Sequence, residues 1–201
     1  MSKVEVPIPS EHYGDRLPDF RRYRLQVAST TATDIVASVG GFILDTTWSG
    51  WETTIYAGRT DSFDDRALRV LGGRSAPLDD LLGAGNRDAS PDVLAMSSDL
   101  YASDSRAWQW AKRVLRRGDV SLIIWGDHLR SDLPTMRTAS HQCSSAAVAF
   151  KASALAALRG AKVAVEPFEP FGVNSTSWAE RMRLWTTTED VGQRKASANG
   201  S

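Results

Sequence analysis

A single cysteine, Cys143, stands in this chain of 201 residues, which excludes an internal disulfide and a zinc site built from several thiolates. Net charge is missing too. The 24 basic and 24 acidic residues cancel, so no global field draws the protein to nucleic acid or to an anionic membrane surface. No apolar run reaches membrane-spanning length, and Met1–Glu5 opens without the apolar core of a secretory signal. These absences point to a soluble protein of the reducing cytoplasm. What is present is 42% hydrophobic content, enough for one sizeable core with loose ends.

The first segment, to Arg24, carries Pro7, Pro9 and Pro18 and the cluster Arg21, Arg22, Arg24, and reads as an extended arm reaching to about residue 30. From Thr31 the pattern becomes helical, with Ile35, Val36, Val39, Phe42, Ile43 and Trp48 on one stripe and Thr33 or Asp34 as the cap. Gly40 and Gly41 interrupt it at a cost of about 2 kcal/mol against alanines, so either the helix is shorter or another backbone approaches closely there. Trp51–Ala57 reads as a strand, and the alternation in Arg66–Leu71 predicts a second. A short helix from Pro77, a strand at Val93–Met96 and a basic amphipathic helix through Trp108–Arg117 follow. Val120–Trp125 is a short apolar run ended by Gly-Asp, hence a buried central strand. A slim alanine-rich helix from about Ser140 to Arg159 comes next, then a strand at Ala161–Val165. Pro167 and Pro170 punctuate the segment after it. A short helix is expected at Trp178–Trp185, and residues 186–201 read as a disordered tail. Helix and strand alternate, which predicts an α/β fold: one domain, residues 31–166, with a central, mostly parallel sheet of about five strands and flanking helices, then a Pro/Trp-containing extension over 167–185.

Phosphate loops are absent. No Gly-x-x-x-x-Gly-Lys-Ser/Thr occurs and no Gly-x-Gly-x-x-Gly follows a strand. The run Leu122–Asp127 superficially resembles the apolar strand ending in an acid that holds magnesium in P-loop ATPases; without the phosphate loop this implies only a degenerate, non-hydrolysing relative.

Ligands in open α/β sheets lie beyond the carboxyl ends of strands, which directs attention to the stretch from Asp127 to Cys143. Asp127, His128, His141 and Cys143 are the candidate catalytic residues: Cys143, near a helix start that lowers a thiol pKa, as nucleophile and either histidine as base. His128, His141, Asp127 and Asp132 are ligand types for a divalent metal, but their spacing matches no metal motif, and neither metal nor cofactor is assigned. Arg21, Arg22 and Arg24, with Trp108, Trp110, Arg113, Arg116 and Arg117, form a candidate binding surface. Trp108 and Trp110 cannot both face inward on one helix, and exposed tryptophan marks contact surfaces.

The reading with no complete catalytic signature is a non-catalytic protein-binding or regulatory protein, its partner another protein, with nucleic acid disfavoured and no membrane. The alternative is a small hydrolase or transferase using the Cys/His site of residues 127–143.

Overall fold

The computed structural model describes residues 22–58, 62–83, 90–126, 136–161 and 163–174, with the backbone of 186–187. Strand β1 (Arg24–Ser29) is buried along nearly its whole length, as an interior strand covered on both faces must be. It pairs in parallel with β2 (Glu52–Ala57) on one side and β4 (Val93–Ser97) on the other. Beyond these, β3 (Arg74–Pro77) runs parallel to β2 and β5 (Ser121–Trp125) parallel to β4. The sheet then continues antiparallel through β7 (Phe168–Val173), β6 (Arg137–Gln142) and the two-residue β8 (Thr186–Thr187), giving the order β3-β2-β1-β4-β5-β7-β6-β8. The predicted α/β domain with a mostly parallel sheet is therefore present, its five parallel strands extended by three antiparallel ones.

Alternate residues of each strand feed two cores. Leu25, Val27, Ile55, Ala95, Ile123 and Trp125 meet α1 (Ala32–Trp48), α2 (Ser62–Val70) and α6 (Ser145–Arg159) on one face. Ala28, Tyr56, Leu94, Met96, Leu122 and Ile124 meet α3 (Leu78–Leu82), α4 (Ser98–Ser103) and α5 (Ser105–Arg117) on the other. Helices on both faces are what a parallel sheet requires.

Helix α1 resolves the question posed by its glycines. It keeps its full length but breaks direction at Val39 (φ −135°, ψ 16°). The N–H groups of Gly41 and Phe42, freed by the break, donate to the two carboxylate oxygens of Glu169 at 2.8 Å each. Lys151 Nζ completes the arrangement 2.6 Å from Glu169 Oε1, with both side chains buried. Close approach is real at Gly41, where a Cβ would stand 2.3 Å from Cys143 Sγ.

Several local expectations are corrected. Arg66–Val70 lies inside α2, because Ala67, Leu68 and Leu71 bury together at helical spacing and the charged-apolar alternation was too short to distinguish the two periods. Among the described residues of the expected strand, Ala161 and residues 163–165 are not in a strand; the strand is β7, in the proline-punctuated segment. Pro170 is tolerated there because β5 pairs only with Gly172 and Val173, so the strand has β6 alone beside it at Pro170. Arg137–Gln142 is strand β6, and α6 starts only after Ser144, whose hydroxyl accepts from Ala147 N–H. The stretch assigned to the arm contributes β1, whose six residues were too few to show a pattern beside the arginine cluster. The expected helix at 178–185 lies outside the described residues, as does the predicted tail apart from β8.

Candidate active site

The chain leaves β1 towards β2 on one side and later returns to place β4 on the other, so the strand order reverses between β1 and β4. At such a switch point the crossover helices diverge and leave a crevice at the carboxyl ends of the two strands. Those ends are Ser29 and Ser97, whose hydroxyl oxygens lie 3.1 Å apart. Ser97 also caps α4, accepting from Leu100 N–H.

Asp34 enters this crevice from the first turn of α1, which is started by Thr31 accepting from Asp34 N–H. Its carboxylate is gripped from three elements. Oδ2 accepts from Ser29 Oγ of β1 at 2.6 Å and from Trp125 Nε1 of β5 at 3.1 Å; Oδ1 accepts from Ser38 Oγ, one turn along α1, at 3.1 Å. These donors fix the carboxylate plane while the residue stays partly open to solvent. Oδ2 is filled by its two donors, whereas Oδ1 accepts one and retains a lone pair for a further donor, which is the requirement for orienting a water. Beside it β5 is followed by Gly126 at φ 98°, a conformation and a spacing that want glycine, since a Cβ would lie 2.5 Å from Ser98 Oγ.

A cleft of about 420 Å³ shares Ser38, Trp125 and Gly126 with this region and is lined further by Lys151, Leu155, Phe168 and Glu169. Ser38 and Trp125 thus present one face to Asp34 and contribute to the cleft.

The candidates named from sequence are distributed differently. Asp127 and His128 follow Gly126 in the chain but lie outside the described residues, with Arg130 and Asp132. His141 and Cys143 lie against the C-terminal half of α1, towards Asp45; Asp34 and Asp45 are about 16 Å apart along the helix at 1.5 Å per residue. His141 Nε2 is 2.9 Å from Asp45 Oδ2, and Asp45 also accepts from Ser144 N–H at 2.9 Å and Ser144 Oγ at 2.5 Å. Burial works against the Asp45 carboxylate, yet the hydrogen bonds from Ser144 and the contact with His141 outweigh it and hold its pKa below the ordinary 3.8. Cys143 is buried with Leu44 and Ala147, and its thiol is pushed up to about 12, first by burial and then by the charge of Glu169. At neutral pH it is a protonated thiol, the reverse of the activation a nucleophile needs. Among the described residues no three His, Cys, Asp or Glu side chains converge as metal ligands.

The binding candidates scatter as well. Trp110 is in the core, and Trp108 is half-buried with Lys112 Nζ 3.8 Å from its ring centroid, so this helix shows no bare tryptophan face. Arg113 lies over the Trp110 ring, Arg116 and Arg117 occupy the last turn of α5 where cations favour the helix dipole, and Arg117 bonds Asp119. Arg24 is built into β1, its backbone N–H bonded to Asp92; Arg22 is exposed; Arg21 lies outside the described residues. Sequence reasoning missed Asp34, Ser29, Ser38 and Ser97. Asp34 was visible as an acid at a strand-to-helix junction, but the same residue in the same place also reads as a cap.

Fold and site together define an α/β sheet of the kind found in several enzymes. Solved structures with this architecture include the A40926 pseudoaglycone deacetylase Dbv21 (13% identity, TM-score 0.52, 77% of this chain and 98% of that one) and a teicoplanin-pathway deacetylase solved with teicoplanin (12%, 0.51, 77% and 99%). The 4-carboxy-2-hydroxymuconate hydratase GalB from Pseudomonas putida KT2440 is a third (13%, 0.50, 77% and 96%). No family model matches the sequence, and no curated protein matches it. At these identities the likeness is one of fold. It goes against the expectation of a non-catalytic, regulatory relative of P-loop ATPases, because these neighbours are deacetylases and a hydratase. Among the described residues no helix is long and apolar enough to cross a membrane.

Proposed function

We propose that this protein is a small hydrolase that removes an acyl group from nitrogen or oxygen, with Asp34 as general base at the β1/β4 switch point. The observation that carries the reading is the Asp34 carboxylate, fixed by Ser29, Ser38 and Trp125 yet open to solvent, at the place where this class of sheet binds ligands. Deacetylases with the same fold support the reaction type. In the step envisaged, Asp34 takes a proton from a bound water as its oxygen attacks the acyl carbon. The bond from that carbon to the leaving nitrogen or oxygen then breaks, and the leaving atom takes up the proton; the products are a carboxylate and a free amine or alcohol. Of the catalytic candidates named from sequence, Asp127 and His128 directly follow Gly126 in the chain, and we assign delivery of that proton to one of them. Cys143 as nucleophile is the weaker route, because burial keeps its thiol protonated. A cytoplasmic site of action belongs to the same reading.

The test is release of carboxylate from a panel of N-acyl amines and acyl esters by the full chain. Asp34→Asn is expected to lower kcat at least about 100-fold with its thermal unfolding little changed. Undiminished turnover in that variant, or no release from any member of the panel, overturns the proposal. Labelling of native Cys143 by a thiol reagent should be slower than that of a free thiol.

A further inference from the structure

The cleft beside Asp34 holds a buried ammonium with donors to spare. Lys151 is 4% exposed, and its Nζ carries three N–H groups, of which one goes to Glu169 Oε1. Glu169 does not simply cancel that charge. Its two oxygens also accept from Gly41 and Phe42, the first N–H groups after the break in α1, so part of its negative charge faces the positive end of the following helical segment. The cleft that Lys151 lines has apolar surface from Trp125, Leu155, Val165 and the half-exposed ring of Phe168, and polar surface from Ser38 and Glu169. Arg159 and Glu166, both exposed, offset each other at the rim.

We propose that this cleft is the acyl-side subsite, binding the acyl oxygen or the carboxylate product at Lys151 Nζ with a short aliphatic chain against Leu155, Val165 and Phe168. This rests on the hydrolase reading above and adds the substrate class: N- or O-acyl groups of several carbons rather than acetyl.

The experiment titrates the full-length protein with acetate, butanoate and hexanoate at constant ionic strength, read by calorimetry and by tryptophan fluorescence. Affinity should rise about threefold to fourfold per added methylene, so hexanoate should exceed acetate by well over tenfold. Equal affinities for the three overturn the subsite. Lys151→Met/Glu169→Gln, which removes both charges together, should weaken hexanoate at least tenfold; wild-type affinity in a folded double variant overturns the role of Lys151. Should that variant fail to fold, Phe168→Ala at the exposed rim serves instead, expected to weaken hexanoate several-fold and leave acetate unchanged, and an equal effect on both is the contrary result. Hexanoate binding without acyl hydrolysis by the wild-type protein would sink the hydrolase reading and leave the cleft standing; hydrolysis without chain-length-dependent binding would do the reverse.

Discussion

At the residue scale, the side chains that organise this protein are those with more than one task. Asp34 gives its N–H to the Thr31 cap of α1 and faces the switch point; Asp45 ties β6 to the start of α6 through His141 and Ser144. Ser144→Ala removes both a helix cap and the strongest donor to Asp45. The cap alone should cost about 1 kcal/mol at neutral pH. The Asp45 part depends on pH with a definite sign: a carboxylate whose folded pKa lies below its ordinary 3.8 contributes stability above that value and loses it as pH falls through the folded pKa. Urea unfolding of wild type and Ser144→Ala should therefore show a gap that narrows from neutral pH to about pH 2; a constant gap would mean that Asp45 is not involved. Gly41 was legible as an oddity within a helix, but its reason, the sulfur of Cys143 in the space of a Cβ, was not. Gly41→Ala should cost about 1–3 kcal/mol in the same measurement, from overpacking rather than backbone strain.

At the element scale, the break in α1 is held from a distance. Glu169 comes from β7, more than 120 residues later in the chain, and supplies the acceptors that the broken helix lacks. Glu169→Ala leaves the Lys151 ammonium buried without its carboxylate and leaves two N–H groups unmet, a loss expected at about 3–5 kcal/mol by chemical denaturation. A loss under about 1 kcal/mol would show the pair to be dispensable. This is also where sequence reading was weakest. A glutamate between prolines in Glu166–Gly172 gives no local sign of burial, and β7 itself was hidden by Pro167 and Pro170. The helices fared better. Helices α1, α5 and α6 have a capping side chain at the start, α3 follows Pro77, and α3, α5 and α6 stop at a glycine, so their signals are local.

At the scale of the whole molecule, one sheet separates two cores and belongs to both. Trp125 lies in one and Trp110 in the other, with β1, β4 and β5 contributing alternate residues to each. Loss of either core strips one face of the same strands, so unfolding should be a single transition: the tryptophan fluorescence and far-ultraviolet circular dichroism midpoints should coincide, both in wild type and in Trp110→Phe. Separate midpoints would show the two layers to be independent. The balanced charge acts at this scale too, leaving recognition to local features such as the cleft rather than to a field.

The sequence by itself determined that the chain alternates helices with apolar strands, that Val120–Trp125 is buried in the middle of a sheet, and that no disulfide holds the fold. Periodicity, capping and composition are properties of neighbouring residues and can be read without the fold. Tertiary structure decided which ends of which strands meet. Ser29, Asp34, Ser97 and Trp125 are dispersed over nearly 100 positions and become one site only because the strand order reverses between β1 and β4. The same assembly set Cys143 and His141 against the other half of α1 and made them structural contacts of Gly41 and Asp45.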